Sequence, residues 1–232
     1  MTYQEYEKLE QERIERNLKY MESGVNFIDI RSAYIAEGVK IGKGTTIYPC
    51  VVIEGDTVIG ENNLVGQNSK IRDSKIGNNN NIESSFILES SVGDDNTVGP
   101  FAYLRPNSNI GNGCRVGDFV EVKNSTLADG AKASHLTYIG DSDVGSKVNL
   151  GCGVVFVNYD GKTKQRSVVG DGAFIGCNVN LVAPVNVGDG AYVAAGSTIT
   201  EDVPSGALFV ARDRGTTKEG WVEKKGILKK DK

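Results

Sequence analysis

His135 is the only histidine among 232 residues, and it stands in the run GAKASHLTYIGD among small and apolar neighbours. An imidazole titrates near neutrality, so one held in a groove can take a proton from a nucleophile and later return it. Two carboxylates fall where they could orient such a ring: Asp118, three repeat steps earlier and thus one coil below, and Glu121 close to it. A second pair of residues suggests what the groove would hold. Arg105 and Lys123 are 18 residues apart, so if the chain coils with that period they project from one face about one strand spacing from each other. Stacked cations repel unless an anion lies between them, and a phosphate suits a guanidinium fork beside an ammonium point charge. The bland alternatives are a histidine packed for structure and two solvated surface cations.

The elements that would position these groups are legible in the aliphatic residues. Steps of six run from Ile41 through Ile47, Ile53, Ile59 and Val65 to Ile71, and from Val92 through Val98, Leu104, Ile110 and Val116 to Val122. A third train joins Val169, Ile175, Leu181, Val187, Val193 and Ile199. A period of six fits neither a helix nor plain alternation; it is the hexapeptide β-helix pattern, one short strand and a turn per repeat with the branched side chain inward. Three strands close an 18-residue coil, and coils stack at ~4.8 Å. The 29 glycines and frequent Asn suit corners that need positive φ. The train breaks twice, and breaks in a repeat are where function is sought. After Val122 the step drops to five at Leu127 and again at Val144, which puts His135 in an irregular coil. Between Phe156 and Val169 seven extra residues are inserted. A loop leaving a coil there can reach a neighbouring subunit, and it carries the polar Asn158, Tyr159 and Lys164.

Composition narrows the classes. A net charge of −4 argues against an electrostatic nucleic-acid binder. No apolar run is long enough for a membrane span and the N-terminus is highly charged, so a cytoplasmic protein without membrane contact is expected. Cys50, Cys114, Cys152 and Cys177 are far apart with no C-x-x-C pair, which suits reduced, buried thiols better than a disulfide framework or a zinc site. One histidine also argues against a metal-dependent hexapeptide enzyme needing about three His ligands per site. Residues 1–24 read as an amphipathic helix and linker, the helix capping or docking the solenoid: Tyr6, Leu9, Ile14, Leu18 and Met21 are at helical spacing within 3–22, and Glu12 to Arg16 and Glu15 to Lys19 are i,i+4 pairs. Residues 25–205 read as the β-helix domain and 206–232 as a basic tail, in which Arg212 to Lys232 holds eight Lys or Arg against four acids.

The stretches GPFAYLRPNSNI, VGDFVEVKNSTL, KASHLTYIGD, VNLGCGVVFVNYDGKTK, LVAPVNVGDGAYVAAGSTIT and ALFVARDRGTTKEGW together resemble the C-terminal acetyltransferase domain of the bacterial bifunctional N-acetylglucosamine-1-phosphate uridylyltransferase and glucosamine-1-phosphate N-acetyltransferase family. The resemblance implies an all-β, left-handed parallel β-helix assembled as a homotrimer with active sites between subunits. It also implies acetyl transfer from acetyl-CoA to the amino group of glucosamine 1-phosphate without a metal, in the synthesis of UDP-N-acetylglucosamine and cell-wall precursors. His135 matches the general base. Arg105, Lys123, Tyr138, Asn149 and Lys164 match the residues that hold the sugar phosphate, and Cys152, Asn158, Tyr159, Cys177, Ala195 and Arg212 those that contact acetyl-CoA. Cys152 and Cys177 stand where the family commonly has Ala or Ser. The uridylyltransferase domain of full-length members has no counterpart in this sequence, so that activity is expected to be absent here, and a separate uridylyltransferase is a candidate partner. The rival readings are a hexapeptide acetyltransferase for another amino or hydroxyl acceptor and a non-catalytic β-helix scaffold.

Overall fold

The structure, a computed structural model, describes residues 1–227; the last five residues assigned to the basic tail lie outside the described residues. The chain visits three parallel sheets in rotation. Among the described residues they hold 11, 10 and 9 strands, and hydrogen-bonded neighbours within each sheet are three strands apart in sequence, except at the C-terminal end, where Leu208–Phe209 pairs with Tyr192–Val193 two strands back. That order is a parallel β-helix of about ten turns, in keeping with the left-handed coil the resemblance implies. Local sequence dictates it. Each inward aliphatic meets its counterpart one turn away, as Leu104 pairs with Val122 and Val122 with Ile139, and all three are fully buried. The outward neighbours of these residues alternate with them and form the three flat faces.

Corners are where short polar side chains accept left-handed backbone. Asn107, Asn124 and Asp141 have φ of 63°, 47° and 48°, a region Asn and Asp tolerate because their side chains hydrogen-bond locally. At another corner the same conformation is taken by Phe119 and Leu136, with φ of 54° and 45°. These bulky residues follow Asp118 and His135 directly, at a strain of roughly 1–2 kcal/mol each.

The N-terminal helix α1, Tyr3–Glu22, opens with a capping box between Thr2 and Glu5, but it docks by the opposite chemistry to that expected. Its buried residues are Arg13 and Asn17, whereas Tyr6, Leu9, Leu18 and Met21 are exposed. Arg13 Nη1 donates to the carbonyls of Arg31 and Ala33 at 2.7 and 2.9 Å, and Asn17 Nδ2 to those of Ile30 and Ala33, both at 3.0 Å. Arg16 donates to Ile35 O at 2.8 Å instead of turning to Glu12, and Tyr20 Oη to Val39 O at 2.6 Å. The end of a β-helix is a rim of unpaired carbonyls rather than an apolar surface, so donors face it. The coil also continues past residue 205. Leu208–Phe209 adds a rung on Tyr192 and Val193, because Ala207 and Phe209 still pack against the core.

Candidate active site

The strand Lys132–His135 ends with His135 at a corner, directly above Asp118 at the end of Arg115–Asp118. His135 Nδ1 lies 2.7 Å from Asp118 Oδ1. An ionised carboxylate only accepts, so Nδ1 carries a proton, and in the neutral ring the lone pair is on Nε2. The hydrogen bond from His135 in turn holds the Asp118 carboxyl below the usual carboxylate range. Of the two carboxylates left open by the sequence, Asp118 is the one on the ring. Glu121 is not, because its Oε1 is taken by Arg105 Nη1 at 2.7 Å.

The corner that bears His135 continues upward in register. Ala133 pairs with Leu150, which sets Cys152 one rung above His135; Leu150 pairs with Ile175, which sets Cys177 above Cys152; and Ile175 pairs with Val193, which sets Ala195 above Cys177. The main chain ties these levels, with Asn178 N donating to Cys152 O and Gly196 N to Cys177 O, both at 2.8 Å. Arg212 closes the file by donating from Nε to Ala195 O at 2.8 Å. Residues scattered over nearly 80 sequence positions thus form a track about 19 Å long at ~4.8 Å a rung, headed by the histidine.

The cations gather at the other end of the second sheet's strands. Arg105, Asn107, Lys123, Asn124, Asp141 and Lys164 line an open cavity of about 410 Å³. The repulsion expected of stacked Arg105 and Lys123 is met partly inside the chain, since Glu121 pairs with Arg105 and Asp141 Oδ2 lies 3.3 Å from Lys123 Nζ. A third cation tips the balance back. Lys164 comes so close to Lys123 that the neighbouring ammonium holds it below the ordinary lysine range. Three cations against two carboxylates leave the cavity positive, and a dianion would relieve it.

Between the two ends lies Tyr138, whose side chain runs along the sheet surface over Gly140; a Cβ there would meet Tyr138 Oη at 2.5 Å and Asn158 Nδ2 at 2.7 Å. Asn158 opens the inserted loop, which is a small ordered hairpin: Tyr159 and Lys164 bridge antiparallel, and Gln165 N donates to Asn158 O at 2.9 Å. Tyr159 is exposed and donates to Gly161 O at 2.7 Å. Asn149 stands apart from the cavity, on the first sheet above Lys132. Sequence reasoning missed Asp141 and Asn124. Their signal was available as an Asn or Asp every 17 residues, at 107, 124, 141 and 158, the shortened coil length set by the five-residue steps.

The bacterial transferase hexapeptide family, of six repeats, matches residues 89–124 and 166–201. The bifunctional protein GlmU of Clostridium beijerinckii is 57% identical over 213 residues, covering 92% of this chain and 47% of that protein. GlmU of Clostridioides difficile is 58% identical over 209 residues, or 90% and 46% of the two chains. The chain therefore spans about half the length of the curated relatives it matches. Among solved structures, the UDP-N-acetylglucosamine acyltransferase from Campylobacter jejuni aligns at 19% identity and a TM-score of 0.46, over 76% of this chain and 69% of that one.

Proposed function

We propose that this chain, which matches the bacterial transferase hexapeptide family over residues 89–124 and 166–201 and is 57% identical to about half of a bifunctional GlmU protein, transfers an acetyl group from acetyl-CoA to the amino group of glucosamine 1-phosphate. The observation that carries this reading is the Asp118–His135 pair at the head of the corner track, on the same sheet surface as the Arg105, Lys123 and Lys164 cavity. The cavity takes the phosphate and Tyr138 lies beside the sugar. The acyl donor runs along the track of Cys152, Cys177, Ala195 and Arg212, with Asn158 and Tyr159 contributed by the hairpin. Asn149, remote from the cavity in one protomer, reaches the sugar from a neighbouring copy.

The amine must be neutral to attack. His135 Nε2 accepts a proton from it as nitrogen bonds to the thioester carbon, and the imidazolium, steadied by Asp118, then protonates the departing CoA sulfur. The proton taken from the amine leaves on the thiol and His135 returns to its starting state. Asn158 gives one N–H to Asp141, so its second N–H and the main-chain N–H groups beside Cys152 and Cys177 are the donors available to the oxyanion. Holding both reactants on one rigid surface supplies much of the remaining acceleration.

A homotrimer completes the arrangement. Phe101, Phe119 and Leu136 form an exposed apolar ridge beside the histidine, the two phenyl rings stacked at 5.4 Å, and covering it with neighbouring copies buries an otherwise hydrated patch. The experiment is direct. The protein is mixed with acetyl-CoA and glucosamine 1-phosphate, and free thiol is followed; silence at high protein concentration refutes the reading, and equal rates with unphosphorylated glucosamine point to another acceptor.

A further inference from the structure

The neck of the inserted hairpin is built on one buried carboxylate. Asp141 is 7% exposed and Asn158 8%. Asp141 Oδ1 accepts from Asn124 Nδ2 at 2.6 Å, from the rung below, and Oδ2 accepts from Asn158 Nδ2, on the rung above. Lys123 Nζ reaches the same Oδ2 at 3.3 Å. The backbone of Asp141 joins in, its carbonyl accepting from Ser167 N at 3.2 Å and its N–H donating to Lys123 O at 3.0 Å. Asn158 is where the chain leaves the coil and Ser167 is where it returns, so a single residue holds both sides of the neck and one cation of the phosphate cavity.

The chemistry of the carboxylate fixes more than position. It can only accept, so the amide of Asn158 must turn its nitrogen toward Asp141 and its oxygen away. Both neighbouring amides donate to it at once, a demand that an uncharged amide in its place, with one acceptor oxygen, would meet less well. Burial works to push its pKa up, and the hydrogen bonds from Asn124, Asn158 and Lys123 overcome that and hold the group ionised.

We propose that Asp141 is a positioning residue for acetyl transfer, setting the amide of Asn158 and the neck of the hairpin while sharing Lys123 with the bound phosphate. This rests on the acetyl-transfer reading above. It makes a prediction that a merely structural carboxylate does not make. Removing the charge misplaces Asn158 and slows transfer, yet it also frees Lys123 for the phosphate, so rate and affinity part company.

The test compares the 232-residue chain with its Asp141→Asn and Asp141→Glu variants. Affinity for glucosamine 1-phosphate is measured by calorimetry without acetyl-CoA, and transfer is measured in single turnovers. For Asp141→Asn the rate should fall on the order of 10²-fold, the scale of a small misplacement at a reacting centre, while the dissociation constant stays level or tightens. Asp141→Glu keeps the charge and should recover part of the rate at wild-type affinity. A rate for Asp141→Asn within about threefold of wild type, a rate and affinity that fall in step, or a glutamate variant no better than the asparagine one overturns the proposal. Should Asp141→Asn not fold, Asp141→Glu decides: its longer side chain should lower the rate about tenfold at unchanged affinity, and a wild-type rate overturns the assignment. A wild-type chain that releases no thiol sinks the acetyl-transfer reading instead. Binding of inorganic phosphate to wild type and Asp141→Asn still reads the sharing of Lys123 in that case, with binding by the variant level or tighter expected and weaker binding refuting it.

Discussion

Replacing Arg105 by alanine does two things at the cavity. It removes the guanidinium that would bind the phosphate, and it strips Glu121 of the partner at 2.7 Å, leaving a carboxylate aimed at the anion. A unit charge at ~4 Å in a surface environment interacts by about 4 kcal/mol. The two side chains are 39% and 38% exposed, so solvent screening cuts this to about 2–3 kcal/mol. The specificity constant for glucosamine 1-phosphate should therefore drop about 30- to 150-fold in Arg105→Ala, measured as thiol release under limiting acceptor. Transfer to unphosphorylated glucosamine should barely change. Glu121→Gln alone should hold or improve the reaction with the phosphorylated acceptor, and in the Arg105→Ala background it should return about 1 kcal/mol, because the stranded carboxylate is gone. Losing both Arg105 and Lys123 should cost less than the sum of the single losses, since both meet one anion. Equal losses with and without the phosphate, or strict additivity throughout, would refute a shared phosphate and make these ordinary surface charges.

His135→Ala should lower turnover by roughly 10²- to 10⁴-fold with acetyl-CoA affinity and melting temperature retained, and Asp118→Asn should lower turnover without weakening acetyl-CoA; unchanged turnover in both returns the pair to a structural role. Lys164 is charged when it binds phosphate and its pKa lies below the ordinary lysine value, so sugar-phosphate affinity should decline as pH rises through that lowered range. Lys123→Met should move the decline to higher pH, which titration calorimetry across the alkaline range would detect. Asn17→Ala should destabilise the chain by about 1–3 kcal/mol, because the fully buried amide satisfies two rim carbonyls, with thiol release by the folded protein unchanged. Light scattering should give three times 24.9 kDa, and an active monomer would rule out a site shared between subunits.

Much of this molecule is written in its local repeat. Once Leu104, Val122 and Ile139 must all face inward, the rungs that carry Arg105, Lys123 and Gly140 are set, because in-register parallel coils transmit alignment from one turn to the next through main-chain hydrogen bonds. The placing of His135 above Asp118 follows from the same counting. Register specifies which side chains are neighbours but not which bonds they make. Both Asp118 and Glu121 were close enough to His135 in the sequence, and only the fold commits Glu121 to Arg105 and Asp118 to the ring, since that choice depends on the direction each side chain takes off the surface. The same limit hid Asp141, whose role arises from three partners that converge at a buried corner. It also misled the reading of α1: apolar spacing selects the face that would suit a hydrophobic surface, whereas the open end of a β-helix offers carbonyl oxygens, and Arg13 and Asn17 turn inward because an unpaired buried acceptor costs more than an exposed Leu18 or Met21.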